Sequence, residues 1–519
     1  MFRAIKNIFA KENSVKGASM ILVITLALSN ILGVIRDHFL ASKIPTDRLD
    51  IYFAAFRLPD LIFNVLILGS IAAAFVPVYS TYLREEGDKK ATELAQATMT
   101  VGVTVIAAAL AVLFFLMPYV IYLLVPSFDI AKRQETVILA RWLLISPLFF
   151  TISYFLGGVL NSHKRFLAYS IAPLIYNLSI IVAVFFFADR LGVKAAVYGV
   201  IIGSALHMLI QLPSAFKLGF RFKFIFDLAN IGVKKIIKLM VPRAIGLGAN
   251  QILLVAYTSF ASAFAGGIAV YNFADNIQTV PSVIFGNSFA MAVFPTLAGL
   301  SLSITKDRDE FQRFFTKTLR AVTFFLVPST AMLILLRAQI IRIILGYGFF
   351  GWSDTKTAAA TLGFFALSII AQGLIPLLAR SFYAMHDTKT PMYSSIIAIL
   401  TSIILGFVFT RLATGAVGGV SSLALAFTIG SWLNFALLVY FLNRQVDFDW
   451  NNLITFIFKV VLLTAVMATV MQIAKNVTAN LVDIDRVRFL ALQILVALIV
   501  GAGTYLGLAW WLEFEEVKS

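Results

Sequence analysis

Residues Ala54 to Leu83 read AAFRLPDLIFNVLILGSIAAAFVPVYSTYL, and Asn272 to Leu300 read NFADNIQTVPSVIFGNSFAMAVFPTLAGL. Each stretch starts polar, passes through a proline and a glycine, and closes on A-F-V-P (Ala74 to Pro77) or A-V-F-P (Ala292 to Pro295). A second pair recurs at a similar offset of about 220 residues: GGVLNSHKRFLAYSIAPLI (Gly157 to Ile175) and RSFYAMHDTKTPMYSSIIAI (Arg380 to Ile399), each a short His-containing turn between apolar runs. Two copies of one long apolar pattern predict a two-lobed membrane architecture built on an internal repeat, the arrangement found in many transporters.

The rest of the chain fits that reading. It has 519 residues, is 60% hydrophobic and only 13% charged, and has a mean hydropathy of +0.91. A soluble domain is roughly 45–50% apolar, so the chain belongs in a bilayer. Its lack of cysteine removes disulfide scaffolds, thiol catalysis and Cys-ligated metal. The net charge of +16 is assigned to cytoplasmic loops and an anionic substrate rather than to nucleic acid.

Windows of about 20 apolar residues give about fourteen spans. They run near 17–41, 48–82, 92–117, 135–160, 166–188, 194–216, 233–262, 268–300, 314–336, 358–384, 390–411, 417–442, 454–474 and 489–512. The second and eighth are long enough to bend. The first is followed by Arg36-Asp37 rather than a small-residue cleavage site, so it is read as a span and not a signal peptide. The expected fold is therefore an all-α polytopic membrane protein. It divides into an N-lobe (1–216, spans one to six), a basic linker (217–238), a C-lobe (239–445, spans seven to twelve) and two appended spans (446–519). Loops on the side of the termini carry 22 of the 42 Lys and Arg against 14 on the other side, which places both termini in the cytoplasm. Lys217, Arg221, Lys223, Lys234, Lys235 and Lys238 make the linker the most basic loop.

The six remaining cations, Arg57, Arg141, Arg243, Arg320, Arg380 and Lys459, fall in or at the edges of spans. Charge at bilayer depth costs roughly 2.5–3.5 kcal/mol per residue, so it is kept chiefly beside a wet cavity or a partner. Asp50, Arg57 and Asn64 recur at i, i+7, i+14 along the second span, and Arg36-Asp37 with Asn30 mark the first. Span seven carries Arg243 and Asn250, and span eight carries Asn272, Asp275, Asn276 and Thr279. These stripes predict a polar cavity walled by spans one, two, seven and eight, in which arginine forks bind an anionic headgroup bidentately. Structural pairings compete with that role: Asp50 with Arg57, Arg57 with Asp60, Arg36 with Asp37, and Arg243 snorkelling to the interface. The structural pairing is favoured for Arg57 and Asp60, and function for Arg36 and Arg243. The four histidines lack metal-ligand spacing and no phosphate-binding loop is present, so no metal, cofactor or ATP is expected.

Five motifs carry a resemblance: SNILGVIRD (Ser29 to Asp37), DIYFAAFRLPDL (Asp50 to Leu61), AFVP (Ala74 to Pro77), YNFADN (Tyr271 to Asn276) and FYAMHDTKTP (Phe382 to Pro391). Together the chain resembles the MurJ/MviN family of bacterial lipid II flippases, within the multidrug/oligosaccharidyl-lipid/polysaccharide exporter superfamily. The resemblance covers roughly residues 15 to 450. It implies fourteen spans, a V-shaped two-lobe cavity, and alternating access that moves lipid II, an undecaprenyl-diphosphate-linked muropeptide, to the outer leaflet. It further implies residence in the inner membrane among membrane lipids, and cell-wall synthesis proteins as partners. The chain departs from the family pattern where Asn30, the Phe63-Asn64 pair and Asn276 replace arginines, and where Leu68 replaces a glutamate. Arg243 stands where a small residue is usual and is read as restoring part of the lost positive potential. The alternatives are an exporter of another polyprenyl-diphosphate-linked glycan and a non-transporting cell-wall scaffold.

Overall fold

The computed structural model describes residues 15–68, 74–301, 308–412, 418–446, 448–481 and 487–518. Among the described residues the regular structure is helical throughout, as expected when backbone groups must find partners without water. The chain forms two compact units, Met1–Ala269 and Val270–Ser519.

The first unit contains α1 (Val15–Lys43), α2 (Thr46–Phe63), α3 (Val76–Glu85), α4 (Gly87–Leu124) and α5 (Ile130–Leu143). These are followed by α6 (Ser146–Ser162), α7 (Phe166–Leu191), α8 (Val193–Leu209), the short α9 (Leu212–Lys217) and α10 (Ile231–Ala261). Side-chain caps fix the starts: Asp129 accepts from Lys132 N ahead of α5, and Asn230 accepts from Gly232 N and Val233 N ahead of α10. Helix α8 lies against α7 through Gly199 and Gly203. A β-carbon at Gly199 would fall 2.8 Å from Ile180 Cα, so only a small-x-x-x-small face permits this approach. Helix α10, which the sequence pattern assigns to the second lobe from residue 239 onward, packs on α2, α3 and α4.

The second unit takes in most of α11 (Gly267–Pro281), then α12 (Ser288–Ser301), α13 (Arg308–Ile344), α14 (Trp352–Ala366) and α15 (Ile369–Ala384). Beyond these lie α16 (Lys389–Leu412), α17 (Ser421–Asn443), α18 (Trp450–Leu481), α19 (Val487–Trp511) and the terminal turn α20 (Glu515–Lys518). Helices α18 and α19 pack on α13 through a core of Phe324, Phe456, Val460, Leu463, Met467 and Tyr505. Pro328 lies inside α13 and has no N–H to offer the Phe324 carbonyl one turn back, and Tyr505 Oη donates to that carbonyl at 2.8 Å. The first unit holds the same device: Pro118 interrupts α4, and Arg141 Nε donates to the Phe114 carbonyl at 3.1 Å.

Both copies of the repeat carry a π-helical turn. The second span passes from α2 into a π-helical turn at Asn64–Leu68, and the eighth has one at Ser282–Asn287 between α11 and α12. In the eighth span the wide turn lets Gly286 back onto α15: an added β-carbon would sit 2.4 Å from Gly373 Cα. The His-containing turns also match. His163, Lys164 and Arg165 donate to the carbonyls of Val159, Asn161 and Leu160, and Met385, His386 and Asp387 donate in the same pattern to Ser381, Tyr383 and Phe382. Lys164 and His386 occupy the left-handed position in their turns, the geometry of a Schellman-type helix end.

By length and composition, 11 helical segments can cross a membrane among the described residues, or 12 if α14 and α15, bent by 40°, form one span. That falls short of the fourteen read from sequence. Two expected spans are outside the count. Helix α2 carries Asp47, Arg48, Asp50, Arg57 and Asp60 in its 18 residues, and α10 contains side chains at 242–247 that lie outside the described residues.

Candidate functional site

The polar stripes lie on helices whose other faces are apolar, and the structure gives each member a distinct setting. In the first unit, Arg36 on α1 directs Nε and Nη2 at Asp37 Oδ1 (3.0 and 2.8 Å) and Nη1 at Asn177 Oδ1 on α7 (3.1 Å). Asp37 is 5% exposed, and the Asn177 amide donates back to Ser29 Oγ at 3.3 Å. The guanidinium is thus fixed by an acid and an amide from two helices while retaining part of its surface, with Tyr52 and Tyr176 within electrostatic range. The pairing of Arg36 with Asp37, the structural alternative weighed from sequence, is therefore present, and Nε, Nη1 and Nη2 each have a protein partner. Asn30, one residue from Ser29, is exposed.

Arg57 is buried and donates from Nε to Thr258 Oγ1 on α10 at 2.9 Å. Asp60 is within electrostatic range of it. Asn64 opens the π-helical turn and donates to the Asp60 carbonyl at 2.9 Å, a bond within its own helix. Asp50, on the same stripe, serves elsewhere. It is fully buried and accepts from Gly266 N (2.8 Å) and Ala269 N (2.9 Å), so it holds the first turn of α11, and Lys132 Nζ lies 3.5 Å away. Lys132 also bonds Asp47. Gly266 adopts φ +72° there, and an added β-carbon would sit 2.7 Å from Thr46 Cγ2, so a side chain is excluded on both counts. Asn250 is exposed. The side chain of Arg243 lies outside the described residues.

In the second unit Asp275 Oδ1 accepts from Gln278 Nε2 at 2.9 Å, and Gln278 Oε1 accepts from Gln372 Nε2 at 3.2 Å. Gln372 also donates to Ser368 Oγ at 2.7 Å, which makes a polar chain from α11 to α15. Asn276 is exposed. Arg380 donates to Asn287 Oδ1 at 3.1 Å and so ties α15 to the end of the π-helical turn. Arg320 pairs with Glu516 at 3.1 Å and lies over the Phe456 ring, a structural tie from α13 to the C-terminal turn, while Lys459 is exposed. Among the described residues no three His, Asp or Glu side chains converge as metal ligands would.

The sequence reading therefore brought Arg36 and Asp37 together but missed Asn177, Thr258, Gln278 and Gln372. Each is a polar side chain inside an apolar run, which is the available signal. Their partners are 94 to 201 residues away for Gln372 and Thr258, too far for helical spacing to connect.

Apolar helices in a two-copy pattern, with arginines and carboxylates set along them, make a polytopic α-helical membrane protein, and the family it belongs to makes it a transporter rather than an enzyme. The fold agrees with solved transporters. A structure of "Lipid II flippase MurJ, inward closed conformation" matches with a TM-score of 0.78 and 24% identity, covering 95% of this chain and 99% of that one. An inward-facing multidrug resistance MATE family transporter of the MOP superfamily matches at 0.66 and 12%, covering 82% and 98%. The chain belongs to the family described as "Lipid II flippase MurJ", whose profile matches residues 46–491. Similar relatives include the probable lipid II flippase MurJ of Rickettsia prowazekii, 26% identical over 96% of this chain and 97% of that one. The lipid II flippase MurJ of Burkholderia cenocepacia is 25% identical over 94% and 95%. That of Rhizobium tropici, also termed probable, is 29% identical over 82% and 80%.

Proposed function

We propose that the chain flips lipid II, the undecaprenyl-diphosphate-linked muropeptide named for its relatives, from the inner to the outer leaflet of the cytoplasmic membrane by alternating access. The two six-span lobes of the sequence repeat move about the 217–238 linker, both termini face the cytoplasm, and the cargo feeds cell-wall synthesis. Unaided crossing would strip water from a diphosphate and many hydroxyls, each at a cost of several kcal/mol. A transporter removes that barrier by supplying polar partners along the route while the polyprenyl tail stays in lipid, so no covalent step is required.

The Arg36 guanidinium, held by Asp37 and Asn177 in a helix long and apolar enough to cross a membrane, is the observation that most supports this reading, beside the family match over residues 46–491. Arg36 and Arg243 hold the diphosphate, helped by Arg57 and the amides of Asn30, Asn64 and Asn276. An inside-negative potential assists release by roughly 2.3 kcal/mol per charge per 100 mV. The test is complementation of a cell depleted of its own lipid II flippase, read by access of an external enzyme to the precursor. Wild type restores access, and Arg36→Glu with Arg243→Glu abolishes it at normal expression. Intact translocation in the double variant overturns the binding assignment. Failure of stably expressed wild type overturns the cargo assignment and favours another polyprenyl-linked glycan.

A further inference from the structure

The linker between α9 and α10 contains a feature that the transport reading does not use. Phe220 to Phe226 reads FRFKFIF, an alternation of aromatic and basic residues. The segment is not helical, and its backbone is fastened to α4. Gln96 Nε2 donates to the Arg221 carbonyl at 2.7 Å, Thr100 Oγ1 donates to the Lys223 carbonyl at 3.5 Å, and Ile225 N donates to Thr100 Oγ1 at 3.2 Å. Alternate residues thus turn their backbone groups toward one helix, as in an extended chain, which places Phe222, Phe224 and Phe226 on one face. Those three rings are 49%, 80% and 53% exposed. Arg221 and Lys223 are exposed as well.

The anchoring point sets the depth. The charged start of α4 ends at Glu93, and Thr100 lies seven residues further on, about 10 Å along the axis at 1.5 Å per residue. Past Thr100 the outer face of the same helix is apolar and open, with Val105, Val112 and Phe115 all more than half exposed as a lipid-facing surface would be. The pinned segment therefore lies at the edge of the apolar belt and not out in the aqueous phase. Phenylalanine rings beside arginine and lysine at that level match the acyl-chain and phosphate layers of a leaflet rich in anionic phospholipid. Lys234, Lys235 and Lys238 on the first turns of α10 extend the positive surface.

We propose that Phe220–Phe226 is an interfacial strap. Phe222, Phe224 and Phe226 insert among the acyl chains of the adjoining leaflet, and Arg221 and Lys223 engage the phosphates of anionic phospholipids. The linker is thereby a lipid-bound element whose hold depends on leaflet charge. The inference goes beyond the cargo assignment and stands or falls independently of it.

The absence of cysteine makes a direct test simple. Single variants Phe224→Cys and Phe226→Cys carry a nitroxide label in nanodiscs of phosphatidylcholine alone or of an equimolar mixture with phosphatidylglycerol. Label depth is read from relative accessibility to oxygen and to a water-soluble nickel chelate. Phe115→Cys marks the lipid-facing limit and Glu85→Cys, at the exposed end of α3, the aqueous limit. Both strap labels are expected near the lipid-facing limit and deeper in the anionic mixture. Lys223→Gln with Arg221→Gln is expected to remove the difference between the two compositions, since each cation at an anionic surface favours binding by roughly five-fold. Nickel accessibility at 224 and 226 equal to that at 85 in both mixtures overturns the strap, and would mark a water-facing surface awaiting a protein. Protection that is identical in the two mixtures overturns the role of lipid charge.

Discussion

Pro328 and Tyr505 form a pair whose energetic coupling can be worked out from geometry. Proline at 328 has no amide proton, so the Phe324 carbonyl has no helical donor, and the 2.8 Å bond from the Tyr505 hydroxyl on α19 replaces it. Phe324 is fully buried and Tyr505 is 3% exposed, so water cannot fill in. Tyr505→Phe keeps the ring, which packs on Phe324 with centroids 5.0 Å apart, and removes only the donor. Orphaning a buried acceptor costs about 1–3 kcal/mol, and measured interhelical bonds in membrane proteins lie in the lower part of that range, so a loss of about 1–2 kcal/mol is expected. With about 2.1 cal/mol/K per residue for a unit of this size, the melting temperature falls by roughly 2–4 °C in a thermal unfolding assay of detergent-solubilised protein. Pro328→Ala supplies the missing N–H from within α13. In that background Tyr505→Phe is expected to cost less than about 0.5 kcal/mol, giving a coupling energy near the full value of the bond. Equal losses in both backgrounds, or no loss with proline present, would refute the reasoning that the tyrosine compensates for the proline.

Two further outcomes follow from the capping carboxylates. Asp50→Ala strands two helix-start amides and leaves Lys132 without its fully buried partner, so thermal stability is expected to fall by at least about 2 kcal/mol, with Asp50→Asn intermediate; an Asp50→Ala protein of unchanged stability that fails to translocate would reassign Asp50 to cargo binding. Asp387 lies outside the spans, ahead of α16; burial opposes its ionisation, but hydrogen bonds from Thr390 Oγ1, Thr390 N and Lys389 N, aided by the Lys389 charge, outweigh burial and hold the carboxyl below its usual range. A depressed carboxylate stabilises the fold above its unfolded value of about 3.9 and loses that contribution as pH falls through the folded value, so hydrogen exchange at Lys389 and Thr390 should accelerate relative to intrinsic rates only below about pH 4. Asp387→Asn should abolish that step, and exchange that ignores pH in this window would contradict the assignment.

What the sequence could and could not disclose follows from the range of each interaction. Hydropathy acts within one helix, so the helical class and most spans are legible, and the shared pattern around Pro59 and Pro281 announces the repeat that the paired π-helical turns express. A turn that widens from four- to five-residue hydrogen bonding leaves no periodic mark, so the length of spans two and eight does not disclose their π-helical turns. The polar stripe on α2 is the instructive case. Asp50, Arg57 and Asn64 share one helical face, which suggested a shared task, yet Asp50 holds the start of α11, Arg57 bonds Thr258 on α10, and Asn64 bonds its own helix. Helical spacing fixes which way a side chain faces, whereas its role depends on what the fold brings opposite. Arg36 with Asp37 was readable because the partners are adjacent; Asn177, which orients the same guanidinium from α7, is 141 residues away. It follows that the neutral Asn30 and Asn276 cannot be judged as lost function from sequence alone. If positive potential for an anionic headgroup comes from arginines held by distant acids and amides, one well-oriented Arg36 with its Asn177 brace does work that several unbraced arginines would share. Removing the brace should then weaken cargo binding without removing any charge.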